Sequence, residues 1–308
     1  MTIRLSVRTA VWRSQIAQLA ASIDGLVPVI KGNGYGFGRH ALGDIAAEIA
    51  DTVAVGTIHE LEGVPEALTP VVLTPTLTPP PVREQGPILT VGHTAHVEAL
   101  RGWSGQVIVK RASAMQRYGA TDRSVLDAAN AAGLDVVGVA IHLPLAGTDD
   151  ERAAAVTEAL DDIDPTTSVW LSHLTPDAYA ALPTTHRYRL RLGTSLWHGD
   201  KSALELHAQV LDVRSVRAGQ AAGYRLGEVV ADGHLVMIGA GTANGVTELP
   251  GGLSPFHFGR SRMALHEPPH MHTSMAFVAT GDPLPSVGDW ADLQRPLHMT
   301  TVDEFRWL

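Results

Sequence analysis

The run VPVIKGNGYGFGRH, residues 27–40, ends an apolar stretch with a lysine and follows it with alternating glycines. Val27, Val29 and Ile30 have the β-branched character of a buried strand, so Lys31 is expected at that strand's C-terminal end. An amine there is partly stripped of water and easily deprotonated, the state in which it attacks carbonyls or accepts protons. Gly32, Gly34, Gly36 and Gly38 let the backbone close round a ligand. Further groups capable of chemistry recur at or near the ends of apolar runs: Lys110, His142, Ser172 and Arg191. Amines, a histidine and a fixed cation converging on one site suit an anionic ligand that bears a carbonyl.

Elements that could position such a set are readable from the pattern. Eight short β-rich runs are expected at 26–31, 52–57, 71–74, 88–91, 106–110, 136–142, 168–174 and 187–192. Helix-period stretches lie between several of them, namely HALGDIAAEIA, HTAHVEALRG, DRSVLDAANAA and DERAAAVTEALDDI. Alternation of strand and helix predicts parallel pairing, and eight units predict an α/β fold of the (β/α)₈ TIM-barrel type over residues 11–198. The Pro-rich connection TLTPPPVREQG is too short and broken for a full helix. From about 199 to 308 the pattern changes to alternating runs and glycine turns, which predicts a smaller, mainly antiparallel β domain. Residues 1–10 are available to add a strand to it.

Composition narrows the function classes. The chain has 308 residues and a formal net charge of −9, so no net positive field draws phosphate backbones or anionic membranes to it. Neither nucleic acid nor membrane is expected as a partner; a small molecule is. The absence of cysteine excludes disulfides, thiolate nucleophiles and cysteine-ligated metals. No run of roughly eighteen apolar residues and no leader-like N-terminus is found, so a soluble, cytoplasmic protein is expected.

Five segments, in order, resemble the alanine racemase family. KGNGYGFGRHA is similar to its lysine and tyrosine segment, with Lys31 and Tyr35 in register and Gly32, Gly34 and Phe37 as departures. KRASAMQRYG resembles its Lys-x-Asp-Thr-Gly-Met-x-Arg-x-Gly motif through Lys110, Met115, Arg117 and Gly119, although Ala112 and Ala114 depart from it. IHLPLAGTDDE resembles its histidine-bearing sixth strand, RLGTSLWHG its Arg-x-Gly segment, and AGQAAGYRLGE the turn carrying its second catalytic tyrosine.

The resemblance implies a homodimer with shared active sites that binds pyridoxal 5′-phosphate (PLP) as a Schiff base on Lys31 and racemises an amino acid. Lys31 would be the base on one face of the substrate and Tyr224 of the partner subunit the base on the other. Arg191 would meet the pyridine nitrogen and keep it unprotonated, which restrains side reactions. Arg187 and Arg189 share its strand face and are the alternatives for that place. His142 would orient Arg191 and Tyr224. Ser172, Gly193, Thr194 and Tyr35 would hold the phosphate, and Arg117 and Met275 the substrate. Lys110 would lie near Arg117, where in the family it is sometimes carbamylated.

The second domain departs from the family pattern. GTANG sets Thr242 where a substrate-facing tyrosine is expected, and TSMAF sets Ala276 after Met275 in place of an aspartate. These departures predict room for side chains longer than that of alanine. They also keep open another PLP chemistry on a D-amino acid, such as decarboxylation or aldol cleavage, and a PLP-binding protein without turnover. SPFHFGRSRMALHEPPHMHTSM gathers His257, His266, Glu267, His270 and His272. A strand through 270–272 would put two of these histidines on one face, where they could hold a divalent metal, line an interface or reshape the substrate pocket. No metal site is assigned from them.

Overall fold

The structure is a computed structural model that describes residues 2–80 and 86–308. By internal contacts the chain divides into two units, Ser14–Gly199 and Met1–Arg13 with Asp200–Leu308.

The first unit is a ring of eight parallel strands: β1 (Leu26–Pro28), β2 (Thr52–Val55), β3 (Thr69–Val72), β4 (Ile88–Val91), β5 (Gln106–Lys110), β6 (Asp135–Ala140), β7 (Val169–Ser172) and β8 (Tyr188–Leu192). Each pairs with its neighbour in sequence from β2 to β8, and β8 pairs with β1. Closure between β1 and β2 rests on one bridge, Val29 to Ala54, where Ile30 N–H donates to the Ala54 carbonyl at 2.9 Å. The expected (β/α)₈ barrel is thus observed, with strands one to three residues shorter at several ends. The helices Arg39–Ile49, Thr94–Ala99, Ser124–Ala131 and Asp149–Ala159 fall in the helix-period stretches. Residues 81–85 of the Pro-rich connection lie outside the described residues.

Period-two alternation explains how the barrel is filled. Val27, Val29, Ala54, Val71, Ile88, Ile108, Ala140 and Trp170 form one apolar cluster, contributed by β1 and its continuation and by β2 through β7. The eighth strand contributes Arg189, whose guanidinium lies 5.0 Å from the Trp170 ring centroid and bonds Asp51 and Thr52. Two residues further along the same inward-facing series come Lys31, Gly56, Leu73, Thr90, Lys110, His142, Ser172 and Arg191. The polar ring therefore sits one pleat above an apolar floor.

In the second unit the 13-residue strand Leu204–Val216 pairs with Gly233–Ile238, Trp290–Leu293 and Ile3–Val7, all antiparallel. A register shift between Val210 and Asp212 lets this long strand serve two sheets. Gly233–Ile238 in turn pairs with Ser274–Ala279. The core is apolar and includes Ile3, Val210, Val236, Ile238, Phe256 and Ala276. Glu304–Trp307 runs parallel to Ile3–Val7 and is the exception to antiparallel pairing. Residues 266–273 form no strand, contrary to the expected extended run through 270–272. Pro268 and Pro269 lack the N–H groups that a ladder requires. Among the described residues, no helix is long and apolar enough to cross a membrane.

Candidate active site

A cavity of about 680 Å³ opens at the C-terminal end of the barrel and is lined by Lys31, Tyr35, Lys110, Arg117, His142, Ser172, Arg191, Gly193 and Thr194, among others. Nine sequence-predicted site residues are thus brought together. Tyr224 and Met275 belong to the other unit. The lining holds four cationic side chains and no aspartate or glutamate, so an anion entering it is attracted and meets no opposing carboxylate.

Lys31 stands at the end of the extension of β1, and its side chain is accessible from solvent. Partial burial, then Arg117 and Arg191, lower its pKa, with Glu60 acting in the opposite direction. The loop beyond it is fastened by groups that no local pattern reveals. Glu60 Oε2 accepts from the N–H groups of Gly32 (3.2 Å) and Gly56 (2.7 Å), and Arg39 donates to the Gly32 carbonyl at 3.0 Å. Asn33 Oδ1 accepts from Gly36 N–H at 3.2 Å. Tyr35 adopts φ 53° within this loop, and burial pushes its phenol up to about 12. A β-carbon at Gly193 would collide with the Tyr35 hydroxyl; only glycine leaves that hydroxyl room.

Arg191 is buried, and its guanidinium donates to the carbonyls of Ile141 (2.8 Å), Leu171 (3.1 Å) and Trp170 (3.5 Å). Burial lowers its pKa to about 10, which leaves it charged at neutral pH. Arg189 is bonded to Asp51 and Thr52 on the floor of the barrel, whereas Arg191 lines the cavity. Backbone carbonyls at the ends of β6 and β7, rather than a hydrogen bond from His142, hold Arg191; that of Trp170 also accepts from the Ile141 N–H at 2.9 Å. His142 instead lies 2.6 Å from the Ser172 hydroxyl through Nδ1. Burial, then Arg191 and Lys110, push its pKa down to about 3, so the imidazole is neutral. The Ser172 hydroxyl, expected on a phosphate, is already engaged by that ring.

Lys110 is 6% exposed, and its ammonium lies 5.0 Å from the centroid of the Tyr118 ring. Burial, then Arg191 and Arg117, lower its pKa to about 7. Arg117 approaches the same ring at 5.2 Å. His173, Tyr118 and His198 also line the cavity and were not singled out by sequence. His173, at φ 63°, donates through Nδ1 to the Leu143 carbonyl at 2.6 Å and packs its ring 4.6 Å from that of His142. Its place directly after Ser172 was the available signal.

In the second unit Tyr224 is 84% exposed on a hairpin in which Ala221 pairs with Glu228 and Ala222 with Gly227. His266, Glu267 and His270 converge on that hairpin, whereas His257 lies on the strand Phe256–Phe258 opposite Asp292. Among the described residues, no group of three or more His, Asp and Glu is placed to hold a metal ion. Thr242 is exposed, and its N–H donates to the His270 carbonyl at 2.8 Å. Ala276 has no exposed surface and packs in the sheet core. It therefore does not enlarge a substrate pocket, contrary to the expectation from the missing aspartate; a carboxylate there would be enclosed by apolar side chains.

The likeness to known proteins extends over the whole chain. A structure of alanine racemase from Bartonella henselae with covalently bound pyridoxal phosphate is 17% identical, covers 100% of both chains and superposes with a TM-score of 0.75. That from Bacillus anthracis with bound L-Ala-P is 20% identical, with coverage of 95% of this chain and 85% of that one and a TM-score of 0.75. Alanine racemase from D-cycloserine-producing Streptomyces lavendulae is 18% identical over 100% and 97%, with a TM-score of 0.70. No curated protein matches the chain. The family described as "Alanine racemase, N-terminal domain" matches residues 9–201, the segment that contains the barrel and every residue of its cationic cavity. With that match and the fold, the chain belongs to the alanine racemase family.

Proposed function

We propose that this protein is a PLP-dependent amino-acid racemase that works as a homodimer, with Lys31 and Tyr224 as its two bases. The observation that carries the reading is the cavity around Lys31, with four cations, no carboxylate and an amine whose pKa is lowered. The donor set fits PLP group by group. Tyr35, Gly193 and Thr194 offer hydroxyl and N–H donors to a phosphate, Arg191 offers a fixed cation to the pyridine nitrogen, and Lys31 offers an amine to the aldehyde. When bound, PLP supplies an electron sink that acidifies the Cα–H of an attached amino acid.

The remaining work falls to the chain's own groups. Lys31, whose pKa is lowered by partial burial and by Arg117 and Arg191, takes the α-proton on one face. Tyr224 of a second chain gives or takes a proton on the other face, which is what inversion requires. Arg117 holds the substrate carboxylate with two parallel N–H donors, while Lys110 beside it adds positive charge below about pH 7. Arg191 keeps its proton at neutral pH, so it would hold the pyridine nitrogen of a bound PLP as a hydrogen-bond acceptor, which disfavours outcomes other than proton return.

Two experiments test the reading. PLP reconstitution followed by borohydride is expected to attach the cofactor to Lys31 by mass spectrometry, and an unmodified Lys31 would remove its foundation. Inactive Lys31→Ala and Tyr224→Phe chains are expected to recover activity on mixing, because a mixed dimer holds one site with both bases. Persistent inactivity after proven subunit exchange would exclude shared sites.

A further inference from the structure

We propose that Glu267 and His270 are positioning residues for Tyr224, a device built into the second unit that fixes the phenol as a proton carrier. The proposal rests on the reading of Tyr224 as the second base. Glu267 Oε1 accepts from the Tyr224 N–H at 3.0 Å and Oε2 from the Arg225 N–H at 3.4 Å. His270 Nε2 lies 2.7 Å from the same Oε1, and its ring meets the Tyr224 ring edge-on at 4.5 Å between centroids. His266 Nε2 donates to the Ala222 carbonyl at 3.1 Å, so the hairpin is held on its other side as well.

Physical considerations favour positioning over incidental packing. Tyr224 is 84% exposed and has no apolar burial to immobilise it, and a free phenol on a hairpin would lose the near-attack geometry on which proton transfer depends. The Glu267 side chain is only 7% exposed and that of His270 16%. A buried carboxylate is retained only where hydrogen bonds compensate its desolvation, and here both oxygens are spent on the turn that bears the tyrosine. Gly223, at φ +77°, makes room for them, since a β-carbon there would collide with Glu267. His270 is itself immobilised, its N–H donating to the Thr273 carbonyl at 2.9 Å and its carbonyl accepting from Thr242.

The test uses the full-length chain with Glu267→Gln, Glu267→Ala, His270→Gln and Tyr224→Phe, each checked for native circular dichroism. Without cofactor, hydrogen exchange of the 222–228 segment is expected to accelerate about tenfold or more in Glu267→Ala and less in Glu267→Gln, which keeps one acceptor oxygen. With PLP, and alanine, serine, lysine, ornithine and arginine as probes, kcat in Glu267→Ala is expected to fall on the order of 10²-fold with KM within a few-fold. Partial recovery is expected in Glu267→Gln, and an intermediate kcat loss in His270→Gln. Wild-type exchange and wild-type kcat in Glu267→Ala, alongside an inactive Tyr224→Phe, would overturn the positioning role while leaving the two-base reading intact. A fully active Tyr224→Phe would instead remove the two-base reading itself.

Discussion

The hydroxyl of Ser172 lies 2.6 Å from Nδ1 of His142, at the ends of two strands that face the same cavity. Burial holds the imidazole near a pKa of about 3, below the ordinary histidine value, so the folded chain refuses a proton that the unfolded chain accepts. Stability from this site is complete above about pH 6.5 and is lost as pH falls toward 3. His142→Gln, whose amide can still meet Ser172, is expected to flatten the acid limb of stability by up to one proton, roughly 1.4 kcal/mol per pH unit. Denaturant unfolding from pH 4 to 7 measures it. An unchanged slope would mean that His142 titrates normally.

The lysines of this chain are Lys31, Lys110 and Lys201, so their titration can be followed one by one. Reductive methylation with ¹³C-formaldehyde should yield separate signals. Lys110 is expected to titrate at about 7, because burial and two guanidinium groups oppose its charge, and Lys31 below the ordinary lysine value. Lys110 titrating above 10 would contradict the burial described above.

Gly193→Ala is expected to displace the Tyr35 hydroxyl and weaken PLP binding by about tenfold or more, since the new methyl takes the hydroxyl's place. Tyr35→Phe should relieve part of the clash, so the double variant should be less impaired than the two single losses combined. Cofactor titration by absorbance reads both. Strict additivity would show that the two residues do not share that space.

Ala276→Asp would restore the residue that the family resemblance calls for, yet the site lies wholly within the sheet core. An unpaired carboxylate there is expected to destabilise the chain by several kcal/mol, roughly 3, without changing which amino acids exchange their α-hydrogen. Thr242→Tyr, at an exposed position, should leave unfolding almost unchanged. Denaturant midpoints that put the two variants in the opposite order would reverse this assignment.

Strand ends were legible because chemistry-bearing residues interrupt apolar, β-branched runs: Lys31 after Val29 and Ile30, Lys110 after Val109, His142 after Ile141. Period-two alternation then brought them to one face, and a closed barrel turns one face into one cavity. Glu60 was not legible, because its two N–H partners lie 28 and 4 residues away and only the fold makes them neighbours. The same holds for Glu267, 43 residues from the tyrosine it supports. Ala276 was misread because an alignment position carries no information about which way a strand residue faces. The alternation of Ser274–Ala279 places Met275 on one side and Ala276 on the buried other.

The seam at Val29 and Ala54 gives the barrel an asymmetry. On one side β1 is tied to β8 by a three-residue ladder in which Val27 stands opposite Arg191; on the other a single bridge joins it to β2. The lysine strand and the arginine strand therefore share one ladder, so the placement of amine relative to guanidinium is set by that pairing and not across the seam.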